Sequence, residues 1–263
     1  VSQINKGLDE QVADFRDRPL EEEYPVISVD ALYEKIRESG RVKNMAVLVV
    51  TGVNSLGFKE VLAVRPMLEE SEETYTALFR SLKARGFRNT WLCVSDAHLG
   101  LQTAIRKDLV GCSWQRCKVH FMRNILSHVS SKDKEFLASK IKQIWNLPDG
   151  KSALTYANRL IDELEEKYPK AMANLEAGIE DSLQFYELSE IDGRKISSTN
   201  QLERLNKEIR RRTRVVGVFP SIESYIRLVS CYLIEYSEDW ATGKRYISDK
   251  ALIEQKLKLR EVA

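Results

Sequence analysis

Apolar residues recur along the chain in two periods, and the switches between them divide it. Ile4, Leu8, Val12 and Phe15 fall at spacings of four, four and three, which predicts a helix from Val1 to about Phe15. Pro19 and the acidic run Glu21–Glu22–Glu23 break that pattern and predict a linker. Val26–Ile27–Ser28–Val29–Asp30 then predicts a short strand ending on a carboxylate, and Met45 to Val53 a second, nearly continuous apolar strand. Asn54–Ser55–Leu56–Gly57 supplies turn chemistry, and Phe58 to Val64 returns as a third strand, so this part is expected to form an antiparallel meander. The helical period resumes over Glu72–Arg85, with Tyr75, Leu78, Phe79 and Leu82 on one face and Gly86 as the stop. Thr90–Ser95 is a predicted fourth strand with Asp96 directly after it, Leu99–Lys107 a helix, and Ser113–Val119 a fifth strand.

From about Phe121 to Leu188 the strands stop. Phe136, Leu137, Ile141, Ile144 and Trp145 make one helical stripe, Leu154, Leu160, Ile161 and Leu164 another, and Met172, Leu175, Ile179 and Leu183 a third, with Pro148 and Pro169 as breakers between them. Ser198 or Thr199 can cap a helix running to about Arg212, and Ser221 caps a last strong helix bearing Tyr225, Ile226, Val229 and Leu233. The tail from 249 to 263 is weakly helical and expected to fray. The predicted organisation is a mixed α/β core at 24–128, an all-helical insertion at 129–192, the second part of the core at 193–240 and a tail at 241–263.

Composition narrows the function classes. A chain of 263 residues with 43% hydrophobic and 30% charged residues can bury a real core. It has no apolar run of about 18 residues to span a membrane, and no signal-like start. Cys93, Cys112, Cys117 and Cys231 are irregularly spaced within or beside apolar runs, which fits reduced thiols and a cytoplasmic setting. Lys and Arg number 41 against 39 acids, a net charge of +2 that argues against a protein coating nucleic acid everywhere. Any electrostatic function must therefore be local. The segment from Glu203 to Arg214 is such a place: six cations (Arg204, Lys207, Arg210, Arg211, Arg212, Arg214) stand against two acids. They suit DNA phosphates, with Arg210 the best single candidate, although a solvated helix end favours cations too.

Asp30 and Asp96 each follow a predicted strand, and the carboxyl edge of an open α/β sheet is where sites form. If those strands are parallel neighbours, the two carboxylates meet. Glu203 lies early on the helix after the insertion, with Asn206 and Arg210 on its face. Three converging carboxylates suit two hard divalent cations, Mg²⁺ or Mn²⁺, able to activate an attacking oxygen and stabilise a leaving one at phosphorus. The plain alternatives are a helix cap for Asp96 and a first-turn acid for Glu203.

The text around these acids is more specific. VISVDALYEKIR around Asp30, WLCVSDAHLGL around Asp96, WQRCKVHFMRN, STNQLERLNKEIRRRT around Glu203 and the closing WATGKRYIS resemble, in order and separation, the Mutator-type transposases of bacterial insertion sequences. The resemblance implies a ribonuclease H-like fold with a helical insertion before the last catalytic helix, and an Asp-Asp-Glu triad at Asp30, Asp96 and Glu203. It implies metal-dependent cleavage at transposon ends, followed by attack of the freed 3′-hydroxyl on another phosphodiester. Double-stranded DNA is then the partner, with at least a dimer expected on two ends, no membrane, and a cytoplasmic location associated with the nucleoid. Residues 1–23 resemble the end of the family's N-terminal DNA-binding region and its linker, so recognition of transposon ends is in doubt for this chain.

Cys117-x-x-His120 belongs to the same pattern. One Cys and one His are half a zinc site, and with His98 and His128 the only other histidines a role in shaping the active site is preferred. His98 either touches the scissile phosphate or caps the helix after it. Asn200 and Asn206 complete the candidate shaping residues, and Trp114 and Trp145 are assigned to the core. Two other functions remain open: a non-catalytic DNA-binding or assembly remnant, and a nuclease of the same fold without strand transfer.

Overall fold

The computed structural model describes residues 2–67 and 69–262, so Val1 and Ala263, at the ends of the predicted first helix and tail, lie outside it, as does the side chain of Ile4. Helix α1 (Ser2–Asp17) leads into strands β1 (Val26–Glu38), β2 (Arg41–Val53) and β3 (Lys59–Met67). Helix α2 (Glu72–Ala84), β4 (Leu92–Ser95), α3 (Leu99–Asp108) and β5 (Ser113–Arg116) follow. Next come α4 (Lys118–Ser127), α5 (Lys134–Ile144), α6 (Gly150–Leu164), α7 (Pro169–Glu176), two 3₁₀ turns and α8 (Gly193–Ile196). The chain closes with α9 (Asn200–Thr213), α10 (Ile222–Thr242) and α11 (Asp249–Val262). No described helix is long and apolar enough to cross a membrane.

One five-stranded mixed sheet runs in the order β3-β2-β1-β4-β5. β1–β2 and β2–β3 are antiparallel, as the meander predicts, while β1–β4 and β4–β5 are parallel. The sheet is covered on both faces, which is why β2 carries a continuous apolar run rather than an alternating one. Leu48 and Val50 face the core under α2 and α3 with Leu78, Phe79 and Ile105. Met45, Val47 and Val49 face the opposite core with Leu202, Leu205, Ile209, Tyr225 and Val229 of α9 and α10. The helical block builds a third core, centred on Ile141, Ile144, Leu160 and Leu175, which is continuous with Val26, Leu92 and Val94 at the sheet. Trp145 belongs to it, its ring N–H donating to Ser182 Oγ at 3.0 Å.

Several elements differ from the sequence prediction. β1 does not stop at Asp30 but pairs with β2 over its whole length, from Val26↔Val53 to Glu38↔Arg41. The hairpin closes through Ser39 (φ 49°) and Gly40 (φ 76°), the two left-handed positions that a two-residue turn compatible with strand twist requires. Its outer half is mixed: Leu32 and Ile36 stay buried in the core under α9 and α10, while Tyr33, Lys35, Arg37 and residues 41–44 are exposed. β5 ends at Arg116, three residues early, because α4 begins at Lys118. The tail is a formed helix rather than a frayed one: Leu252 is buried, Gln255 Oε1 accepts from Glu190 N–H, and Lys256 pairs with Glu23 at 2.6 Å. Ahead of it, Tyr246 and Ile247 N–H donate to Gly57 O, and a Cβ on Gly57 would lie 1.9 Å from Ile247 O, so only glycine admits the tail there.

Candidate active site

The parallel pairing of β1 with β4 ends at Ser28↔Val94. Two residues further along each chain stand Asp30 and Asp96, and a strand's period of two puts both on the face that carries Ser28 and Val94. Asp30 therefore lies within a long strand, paired to Val49 on its other side, rather than past a strand's end as predicted. Only Asp96 follows its strand directly. The juxtaposition survives because β4 is short: the sheet divides at this point, leaving room beside β1.

The Asp96 charge reaches Asp30. Burial, aided by the Asp96 charge, pushes Asp30 up to about 6, against the opposing effect of His120 and the hydrogen bond from Asn206. Asp96 is also raised, first by desolvation and then by the charge of Glu70, although its side chain is exposed. Asn206 is buried and donates Nδ2–H to Asp30 Oδ2 at 2.8 Å, tying α9 to β1. Two turns further along α9, Thr213 donates to Glu34 Oε1 at 2.8 Å.

Glu203 is placed by the same helix. Leu202, Leu205 and Ile209 are buried under it, so Glu203 is carried at the core's margin above β1. Its Oε1 is buried without a hydrogen bond; His120 Nε2 lies 3.2 Å from it without hydrogen-bond alignment, and Arg123 Nη2 is 4.0 Å from Oε2. His120 stands among the acids: the Cys117 sulfur raises it most, burial opposes, and the Asp30 and Glu203 charges help bring it to about 9. Burial pushes the Cys117 thiol up, but contacts with His120 and Thr199 outweigh it and leave the pKa lowered. Thr199 donates both its N–H and its hydroxyl to Cys117 Sγ at 3.3 Å. The predicted Thr199 cap is thus only half correct: Thr199 holds the cap position of α9 without capping it, because its hydroxyl is spent on the sulfur. Cys117 joins the start of α4 to the start of α9, which sets His120 against Glu203.

A family model described as "Transposase, Mutator family" matches residues 1–243. The chain belongs to the Mutator family of transposases. It is 38% identical over 264 residues to the transposase of insertion sequence element ISRM5 from Rhizobium meliloti (strain 1021), across all of this chain and 66% of the relative. Identity is 38% over 253 residues to the IS1081 transposase of Mycobacterium tuberculosis, covering 96% of this chain and 61% of the other. It is 37% over 252 residues to the transposase of IS256 in transposon Tn4001 from Staphylococcus aureus, covering 94% and 64%. The chain therefore spans a little under two thirds of these relatives' length. The solved Drosophila P element transposase strand transfer complex is similar at a TM-score of 0.33 and 12% identity over 95% of this chain and 76% of that one, too low to bear on the fold.

In this Mutator-family chain the other singled-out residues divide. His98 occupies the cap position of α3 but makes no side-chain cap bond; its ring packs on Tyr75 with centroids 5.4 Å apart. Asn200 is exposed and, among the described residues, makes no side-chain hydrogen bond. With about 3.6 residues per turn, Lys207, Arg210 and Arg214 come round onto the face of Glu203. Arg211 is turned aside onto Glu208 at 2.9 Å, and Arg212 lies over the Tyr232 ring at 4.1 Å. Arg204 is exposed beside Lys59, whose pKa burial lowers first and Arg204 further.

Sequence reasoning missed Glu70, which accepts hydrogen bonds from the hydroxyls of Tyr33 and Tyr75 and faces Asp96. Nothing in the acidic run Glu69–Glu73 distinguishes it, since both tyrosines lie on other elements. Arg116 and Arg123, at the groove beside Asp96, were likewise hidden inside WQRCKVHFMRN.

Among the described residues no group of three His, Cys, Asp or Glu side chains is closed around a point that would hold a metal ion. Glu203 is drawn toward His120 and Arg123 instead. The donor set nevertheless suits a hard divalent cation: Asp96 accepts no side-chain hydrogen bond among the described residues, Asp30 is bonded by Asn206, and Glu203 Oε1 is buried and unsatisfied. Raised carboxylate pKa values at a shared edge are what a bound cation would reverse.

Proposed function

We propose that this chain is the catalytic core of a DNA transposase, with Asp30, Asp96 and Glu203 as a metal-binding triad on a ribonuclease H-like sheet. The observation that carries the reading is the meeting of Asp30 and Asp96 at the parallel β1–β4 edge, under a helix that brings Glu203 and Asn206 over them. The strand order, three antiparallel strands followed by two parallel ones, supports the fold assignment. Asp30 and Asp96 would hold two Mg²⁺ or Mn²⁺ ions with Glu203. Such ions activate an attacking oxygen and stabilise a leaving one in an in-line displacement at phosphorus, a chemistry that serves both cleavage and strand transfer.

The chain's own residues supply the positioning. Asn206 orients Asp30 by donating to Oδ2, and His120 sets a positive charge beside Glu203. Cys117 and Thr199 fix the start of α9 so that the two halves of the site, separated in sequence by the helical insertion, stay in register. Double-stranded DNA is the substrate, and two transposon ends call for at least two copies of the chain. Incubation with a pre-nicked transposon-end duplex, a target plasmid and Mn²⁺ should give joined products. Hydrolysis without joining would favour a nuclease, and metal-independent binding without cleavage a non-catalytic module.

The basic helix is expected to grip the DNA backbone through one face only. Replacing Lys207, Arg210 and Arg214 together by Ala should lower the salt dependence of DNA binding by about three phosphate contacts, each worth a slope of roughly 0.9. Replacing Arg211 and Arg212, which are engaged with Glu208 and Tyr232, should change it by less than one. Equal slopes for the two sets, measured by titration against salt, would overturn this division.

A further inference from the structure

A groove of about 430 Å³ opens beside Asp96, walled by Arg116, Phe121, Arg123, Asn124 and Ser127. Arg116, the last residue of β5, is half-buried, and its guanidinium carbon stands 4.1 Å from the Phe121 ring centroid. Among the described residues no carboxylate oxygen comes within 4 Å of it, and its side chain makes no hydrogen bond. Burial lowers its pKa, with Asp181 and Asp96 opposing from a distance. Its Nη1 abuts the backbone at Gly178, where a Cβ would lie 2.0 Å away. A guanidinium without a protein partner, resting on an aromatic ring with its fork of donors free, is suited to an oxyanion.

The rest of the wall says what kind of anion. Beyond His120, the residues Arg123, Asn124 and Ser127 follow at helical spacing along α4 and extend the polar surface away from Asp96 as a track. Arg, Asn and Ser side chains are what proteins lay along a sugar-phosphate backbone. A lone small anion needs no such track. The cations of α9 lie on a different element, so this is a second contact with the strand.

We propose that this groove binds a DNA backbone phosphate flanking the reacting phosphodiester, anchored by Arg116 and continued by Arg123, Asn124 and Ser127. The proposal rests on the transposase reading and adds to it the path of the strand: away from Asp96 along α4.

The test replaces single phosphodiesters of the transposon-end duplex by neutral methylphosphonates, one linkage at a time on either side of the cleaved bond. Cleavage by the full chain is followed in Mn²⁺. With the wild type, one linkage within a few nucleotides of the cleaved bond should slow cleavage about 10-fold or more, the scale of a charge-assisted hydrogen bond. Arg116→Met should slow cleavage of unmodified DNA by a similar factor and be indifferent to that same substitution. Met keeps an unbranched stem against Phe121, and an unchanged thermal midpoint verifies the fold. If that variant unfolds, Arg116→Gln takes its place: it keeps a polar end beside Phe121, removes the charge, and should reproduce the insensitivity. An interference pattern identical in wild type and variant, or wild-type cleavage by the variant, overturns the groove while leaving the transposase reading intact. A wild type that cleaves no duplex with either Mg²⁺ or Mn²⁺ overturns that reading, and the groove with it.

Discussion

Asp96→Asn should reduce cleavage of a transposon-end duplex by at least ~10³-fold while leaving the fold intact. The size follows from the function proposed for the carboxylate: removing one anionic metal ligand forfeits several kcal/mol of charge stabilisation at phosphorus, and each ~1.4 kcal/mol is tenfold in rate. The spared stability follows from the geometry. Asp96 is exposed, its side chain accepts no hydrogen bond among the described residues, and its carboxylate is held above its ordinary pKa by desolvation and by Glu70. An amide of the same shape loses no partner and removes a charge that its surroundings disfavour. Single-turnover cleavage in Mn²⁺ and a thermal melt on the same preparation check both halves. A variant that cleaves within tenfold of the wild type would remove Asp96 from the triad.

Asp30→Asn should stabilise the metal-free protein at neutral pH and abolish its response to metal. In the folded chain the Asp30 carboxyl is pushed up to about 6 from an ordinary 3.8. The folded state therefore holds this proton more tightly than the unfolded one. Between about pH 4 and 6 folding carries an excess of bound protons, so stability falls as pH rises through that window and the loss is complete above it. Because Asp30 is partly accessible, the cost at pH 7.5 is taken at about 1–3 kcal/mol. Asn at this position can still meet Asn206 and carries no charge. Without metal at pH 7.5 the variant should melt several degrees above the wild type, and the two should converge below about pH 4. Millimolar Mn²⁺ should raise the wild-type midpoint, since a ligand of the folded state stabilises it by mass action, and should leave the variant nearly unmoved. A variant that melts below the wild type, or an Mn²⁺ response equal in both, would contradict a cation site at this carboxylate.

Much of this site was legible before any coordinates, because its acids lie next to strong periodic text. Asp96 follows a short apolar strand flanked by helices, and Glu203 sits one position from an apolar stripe at helical spacing. Asp30 was found for a partly mistaken reason. Its strand runs on for eight more residues, but there Leu32 and Ile36 are the only buried positions among charged neighbours, too sparse an alternation to extend the strand signal. The fraying tail was misjudged for the converse reason: α11 has a weak stripe, and its order comes from partners far away, Glu23, Gly57 and Glu190.

By itself, the sequence determined the order of strands and helices, the acids that stand beside them and the cations that follow Glu203. Those features are written in local periods of two and about 3.6, which adjacent residues specify without help from the rest of the chain. Only the tertiary structure decided which side chains meet. The Asn206–Asp30 hydrogen bond spans 176 residues, and the bonds from Thr199 to Cys117 span 82. Whether Arg212 faces DNA or Tyr232, whether Arg116 is paired or left open to a groove, and whether Glu70 reaches Asp96 all depend on how separate elements are stacked. That stacking is set by burial of apolar faces summed over the whole chain, and no local pattern carries it.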